Sequence, residues 1–173
     1  CDEPDFGGSF ALLQDIRQQT DLPILAKEVI VDPIQIELAR AAGADAVLLI
    51  AAVLSESDID LLCKTALQHS LDILFEIHTE EEISKVPDHN GDHLIIGINN
   101  RNLETLEIDL ATSEQLSSSL QGVYSEHLLL SESGIENRAN VERLQSIVDG
   151  FLIGSSILQA KDPTSHLSSL FHE

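Results

Sequence analysis

Six short apolar runs set the rhythm of this chain: Ile24–Lys27, Ala46–Ile50, Leu71–Ile77, Leu94–Ile98, His127–Leu130 and Gly150–Ile153. Stretches with helical spacing separate them. Ser9–Gln19 opens the series, with Ser9 at the N-cap position and Phe10, Leu13 and Ile16 on one face. Asp32-Pro33 starts the next helix, Ile34, Leu38 and Ala41 form its apolar stripe, and Gly43 ends it. Ser55 caps a third helix through Ile59, Leu62 and Leu67, and Thr79 caps a short acidic one ending at Lys85. Thr112–Leu120, Glu136–Val148 (Val141, Leu144 and Ile147 in register) and Pro163–Leu170 complete the set. Pro87–Asp92 reads as a polar turn and Asn102–Asp109 as irregular.

Short apolar strands alternating with helices predict an α/β fold with a parallel sheet. Two architectures meet that pattern: an open doubly wound sheet, and part of a closed eight-stranded barrel. No glycine-rich dinucleotide fingerprint follows any strand, which weakens the first. There is no internal repeat beyond the βα rhythm and no interdomain linker, so residues 1–173 read as a single domain.

Charge narrows the partners. Thirty acidic residues face nine basic ones, for a formal charge of -21. Such a field repels nucleic acid and anionic lipid, so neither is expected as a partner. No run approaches the roughly 20 apolar residues of a membrane span. Cys1 and Cys63 are too few and too far apart for a disulfide framework or a zinc site, which suits a reducing, cytoplasmic compartment. No cluster has metal-ligand spacing, and neither a metal nor a cofactor is expected. The chain has no methionine, so Cys1 is expected to be an internal position of a longer product.

The polar residues worth attention gather at strand C-termini: Lys27, Glu76, Asn99, Arg101, Glu132, Ser133, Gly154 and Ser155. In parallel α/β folds those ends share one side, where sites are built. Each also has a mundane reading. Lys27 could snorkel to solvent, Glu76 could sit at an exposed strand end, Asn99 and Asn100 could be turn residues, and Ser133-Gly134 could be a tight turn. Taken together, Lys27 and Glu76 form a candidate acid–base pair. Asn99 can orient a hydroxyl or amine, and Arg101 can grip a carboxylate. Ser133-Gly134 and Gly154-Ser155 follow the last two strands and each precede a helix, an arrangement suited to phosphate. His78 reads as a surface histidine.

Ordered motifs along the chain then show a resemblance. They are Asp2-Glu3-Pro4 through Gly8-Ser9, Leu22-Pro23-Ile24-Leu25 with Lys27, Asp32-Pro33 with Gln35, Ala39–Ala46, Glu76-Ile77-His78, Gly97-Ile98-Asn99-Asn100-Arg101, Ser131-Glu132-Ser133-Gly134-Ile135 and Ile153-Gly154. In this order they resemble the indole-3-glycerol-phosphate synthase family of tryptophan biosynthesis. The resemblance implies a (β/α)8 barrel, incomplete here, holding helix 2 and strands 3 to 8. It implies ring closure of 1-(2-carboxyphenylamino)-1-deoxyribulose 5-phosphate with loss of CO₂ and water, hence a phosphorylated small-molecule substrate. Lys27 then looks like the general acid on the ketone oxygen and Glu76 a proton-transfer residue in dehydration. Asn99 and Glu132 look like positioning groups, Arg101 part of the anthranilate end, and Ser133, Gly134, Gly154 and Ser155 phosphate-loop residues.

Departures from the family pattern carry their own expectations. The family's first strand, which bears a second lysine, an acidic partner and a serine, precedes the position of Cys1. A barrel lacking two strands has two open edges, so the chain alone is expected to be poorly active and to self-associate through them. A catalytically degenerate phosphate-binding fragment is the alternative. The sister barrel phosphoribosylanthranilate isomerase lacks the Lys–Glu–Asn set. Ala26, Glu28 and Val29 stand where the family usually has a large residue such as arginine, an aspartate and a phenylalanine. Val29 removes an aromatic from the substrate ring, so Val29→Phe is expected to lower the Michaelis constant; an unchanged constant in steady-state kinetics would count against that role.

Overall fold

The computed structural model describes residues 8–87, 93–120 and 124–172. In chain order the elements are α1 (Phe10–Arg17), β1 (Leu25–Ala26), α2 (Pro33–Ala42), β2 (Ala46–Ile50), α3 (Glu56–Gln68), β3 (Asp72–Ile77), a 3-10 helix (Glu81–Lys85), β4 (Leu94–Asn99), α4 (Ala111–Leu120), β5 (Leu128–Glu132), α5 (Arg138–Leu144), β6 (Gly150–Leu152), α6 (Ser155–Leu158) and α7 (Pro163–Phe171). The six strands of the described residues follow chain order in one sheet. That strand–helix order is the order of an incomplete (β/α)8 barrel, as the sequence implies. No described helix is long and apolar enough to cross a membrane.

The chain divides into two compact units. One runs to Glu76 and includes Ser84–Ile95; the other takes Ile77–Ile83 and everything from Ile96 onward. In the first unit β1 pairs parallel with β2 (Leu25 opposite Ala46), and β2 pairs with β3 (Ile50 opposite Glu76). Val47, Leu48 and Leu49 are consecutive and all buried, as are Ile73, Leu74 and Phe75. Consecutive burial means that both strand faces are covered, which only a helix-flanked parallel sheet provides. In the second unit β5 pairs parallel with β6, with Leu130 opposite Gly150. Ile96, Ile98, Leu116, Leu120, Val141, Leu144 and Leu170 are buried there.

Local chemistry sets the helix ends. The Ser9 hydroxyl accepts from Leu12 N–H. Asp32 and Gln35 form a reciprocal capping box on α2, and Ser55 and Asp58 do so on α3. These starts fall where the sequence puts them. The apolar face of α2 does not. Ile36, Ala39 and Ala42 are buried, while Ile34 and Leu38 are about half exposed. Apolar residues occupy so many α2 positions that spacing alone admits two adjacent faces. In α3 the buried stripe likewise runs through Ile59, Leu62, Cys63 and Ala66 and leaves Leu67 partly exposed. The first strand is shorter than Ile24–Lys27, and Lys27 lies just past its end. Of the turn read at Pro87–Asp92, residues 88–92 lie outside the described residues.

Arg17 ties α1 to the entry of β1. Its guanidinium donates to the Asp45 carboxylate at 2.7 Å, to the Leu22 carbonyl at 2.8 Å, and to the Thr20 carbonyl. The same Asp45 oxygen accepts from Ile24 N–H at 2.8 Å. The stem of Arg17 lies against Gly43, which closes α2 with φ +97°. A Cβ at Gly43 would fall 2.5 Å from Arg17 Cγ. Position 43 therefore excludes a side chain through both backbone conformation and space. Gly43→Ala is expected to cost about 2 kcal/mol, a fall in Tm of roughly 4–8 °C. Thermal unfolding followed by circular dichroism measures it, and an unchanged Tm would refute the packing role given to Arg17.

Candidate functional site

Lys27 and Glu76 meet in the first unit. β3 carries Glu76 into the interior, where 3% of its side chain is exposed, and the Lys27 ammonium lies 3.4 Å from its Oε2. Lys27 keeps 45% of its side chain in contact with solvent. A carboxylate that deep is costly unless a cation and hydrogen bonds compensate it. With its side chain half-exposed, Lys27 can meet both the carboxylate and an entering molecule. Lys85 braces the same unit from the 3-10 helix: its Nζ donates to the carbonyls of Ala51, at 2.8 Å, and Leu54, at 3.1 Å, in the segment after β2.

Asn99, Arg101, Glu132, Ser133, Gly134, Gly154 and Ser155 all belong to the second unit. Asn99 ends β4, with 9% exposure, and its side-chain oxygen accepts from Arg101 N–H at 3.0 Å. The Arg101 guanidinium donates to the Leu106 carbonyl at 3.2 Å, which turns it along its own loop. Glu132 ends β5 and is buried. Ser133 and Gly134 both take positive φ, 65° and 84°. Both glycine–serine pairs precede a helix, at different distances: Gly154 is the N-cap of α6, which begins at Ser155. After Gly134 the helix begins at Arg138, capped by Asn137, so that turn presents loop amides rather than a helix end. Gly154 has an ordinary φ of -119°, and a Cβ there would meet nothing within 4 Å. The fold does not demand glycine at 154.

Two features escaped the sequence. His78 is not a surface residue: its side chain is 6% exposed and its Nδ1 lies 3.4 Å from Glu82 Oε2. The Glu82 carboxylate also accepts from the backbone N–H groups of His78, at 2.7 Å, and Thr79. Glu82, rather than the Thr79 hydroxyl, thus anchors the turn after β3. Asn100 is the second. It is 2% exposed and bonded to Ser113, Ser131 and the 132–133 backbone. Its readable signal is Ser113, in the buried stripe of α4 with Leu116 and Leu120; Ser117 in the same stripe donates to the Glu114 carbonyl of its own helix. By contrast, Cys63 is not a nucleophile. Burial first and the Asp60 charge second push its thiol up to about 12.

Burial raises the Glu82 pKa, but the hydrogen bonds and charge of His78 outweigh it and hold the carboxyl below its usual 4.5. A depressed acid stabilises the fold above its unfolded pKa, and that contribution is lost as pH falls through the lower folded value. Glu82→Gln should therefore be less stable than the parent at pH 7. The gap should narrow as pH drops below about 4.5. Urea unfolding at a series of pH values reads it, and a gap independent of pH would exclude the ionic contribution.

Comparison with known proteins bears on the whole chain. A family model described as indole-3-glycerol phosphate synthase matches residues 1–170. The indole-3-glycerol phosphate synthase of Lachnospira eligens is 43% identical over 170 residues, covering 96% of this chain and 63% of that protein. That of Prochlorococcus marinus subsp. pastoris is 40% identical over 174 residues, covering 99% and 59%. That of Petrotoga mobilis is 37% identical over 175 residues, covering 99% and 68%. The chain thus spans about three fifths of the length of the first two of these relatives. Among solved structures it is similar to a 3-hexulose-6-phosphate synthase, with TM-score 0.69 and 15% identity over 97% of this chain and 81% of that one. It is also similar to KGPDC from Streptococcus mutans, with TM-score 0.71 and 16% identity over 97% and 78%. At such identities these structures bear on the fold alone.

Proposed function

The chain belongs to the indole-3-glycerol phosphate synthase family, and from that premise we propose that it serves the family's carbon–carbon lyase reaction in tryptophan biosynthesis. The substrate is 1-(2-carboxyphenylamino)-1-deoxyribulose 5-phosphate, which closes to the indole with loss of CO₂ and water. The observation that carries the reading is the Lys27–Glu76 pair, the ammonium of a half-exposed lysine side chain held 3.4 Å from a buried carboxylate.

In this reading a ring carbon of the substrate bonds to its ketone carbon while Lys27 gives a proton to the ketone oxygen. The carboxylate leaves as CO₂, restoring the aromatic ring. The new hydroxyl then departs as water, with Glu76 moving the proton. Asn99 and Glu132 position the substrate, and Arg101 serves its anthranilate end. Ser133, Gly134, Gly154 and Ser155 receive the phosphate, and the open space at the Gly154 Cα supports that assignment.

Self-association belongs to the same proposal. β1 is two residues long and comes first in the sheet order. Leu22, Val29, Val31 and Ile34 around it are 46–72% exposed, which favours burial against another copy. A cytoplasmic location suits the buried free thiol of Cys63.

Fluorescence of the indole product, measured with this 173-residue chain and the named substrate, tests the reading. Weak turnover, impaired by the absence of the family's first strand, is expected, and Lys27→Ala should lower kcat by roughly 100-fold or more. Substrate binding without product in the parent chain would transfer the reading to a phosphate-binding module that lacks the chemistry.

A further inference from the structure

Asn100 makes more hydrogen bonds than any role in a turn requires. Its Nδ2 donates to Ser131 Oγ, the Glu132 carbonyl and the Ser133 carbonyl, each at 3.0 Å. Its Oδ1 accepts from Ser113 N–H at 3.1 Å and Ser113 Oγ at 2.8 Å. Ser113 Oγ and Ser131 Oγ lie 2.7 Å apart. Asn100 is 2% exposed, and both serines are fully buried.

Proton counting orients the cycle. A backbone N–H can only donate, so Ser113 N–H fixes which end of the Asn100 amide is oxygen. The hydroxyl of Ser113 donates to that oxygen. The hydroxyl of Ser131 must then donate to Ser113, and Ser131 accepts from Asn100 Nδ2. The three side chains close a one-way ring, in which each bond polarises the next. The second Nδ2 proton is left for the carbonyls of Glu132 and Ser133.

Those two carbonyls explain the purpose. A trans peptide is planar, with its C=O and N–H pointing in opposite directions. Drawing the Glu132 carbonyl toward Asn100 turns Ser133 N–H away from it. Drawing the Ser133 carbonyl in does the same for Gly134 N–H. Ser133 sits at φ 65°, a conformation unfavourable for a residue with a Cβ unless its surroundings hold it. The bond from Asn100 is such a hold. The Asn100 backbone adds another, its N–H donating to the Glu132 carbonyl at 2.9 Å.

We propose that Asn100 is a positioning residue for the phosphate end of the substrate, its amide locked by Ser113 and Ser131 so that Ser133 N–H and Gly134 N–H are presented as a rigid pair of donors. This deepens the function proposed above and rests on it, since the phosphate is the ligand in question.

The probe is glycerol 3-phosphate, a simple phosphate monoester, titrated into the ¹⁵N-labelled chain, with glycerol as the control. In the parent chain the Ser133 and Gly134 amide resonances should shift with the phosphate ester and not with glycerol. Asn100→Ala should weaken binding at least tenfold, and Ser113→Ala, which opens the ring but spares the Asn100 donors, a few-fold. Ile36→Val, a core change in the other unit, should bind as the parent does, separating positioning from general loss of stability. Parent-like binding by Asn100→Ala would overturn the proposal and leave the phosphate reading intact. Where Asn100→Ala does not fold, parent-like binding by Ser113→Ala overturns it. No phosphate-dependent shift in the parent chain would refute the phosphate reading itself and, with it, this role for Asn100.

Discussion

A parallel strand covered on both faces has room for polar groups only at its ends, and that constraint governs where chemistry can sit in this chain. β2 buries Val47, Leu48 and Leu49 in succession, and β3 buries Ile73, Leu74 and Phe75. A charged side chain among them would lose its hydration with nothing to replace it. The polar residues therefore fall at the last strand positions or just beyond. Glu76 is the deepest of them in the first unit, and it is tolerated because Lys27 approaches from beyond the end of β1. The desolvation that makes such a carboxylate costly also keeps it from being screened, so the apolar strand bodies and the polar pair follow from one cause.

The strand bodies were legible because burial on both faces needs uninterrupted apolar runs, and Ala46–Ile50 matches the observed strand residue for residue. Helix starts were legible for a local reason: Ser9, Asp32 and Ser55 satisfy amide groups a few residues away. Helix faces were not. In α2, residues 34, 36, 38, 39, 41 and 42 are all apolar, and the tertiary packing selects Ile36, Ala39 and Ala42. The burial of His78 was hidden because it depends on Glu82 folding back from the following 3-10 helix, a contact that no pattern of periodicity encodes.

The candidate site was partly legible in the same sense. The family motifs single out Asn99, Arg101, Glu132 and Ser133 as residue types, but geometry separates their situations. Arg101 is turned along its loop by the Leu106 carbonyl, whereas Glu132 is buried. Gly134 and Gly154 look alike in the sequence and differ in structure. A Cβ at Gly134 would fall 2.6 Å from Ile108, at φ +84°, while one at Gly154 would meet nothing. The fold alone demands the first glycine. The second has no such structural requirement.

Asn99 and Asn100 show how two identical neighbours come to different work. Successive residues at the end of a strand face opposite sides of the sheet. Asn99 turns its amide oxygen to the Arg101 backbone at the loop, while Asn100 reaches Ser113 of α4 and Ser131 of β5. The helix meets it with Ser113 at a position where a core helix would otherwise carry an apolar residue. With Ser113 and Ser131 replaced by alanine the buried amide would lose two hydroxyl partners, keeping the residue 113 N–H on Oδ1 and the Glu132 and Ser133 carbonyls on Nδ2. Ser113 in the apolar stripe of α4 is thus explained by the asparagine, and the asparagine by the backbone it holds. A polar cluster this deep survives only when every member is bonded, which makes these buried hydrogen bonds of the second unit the ones that shape the turn at Ser133 and Gly134.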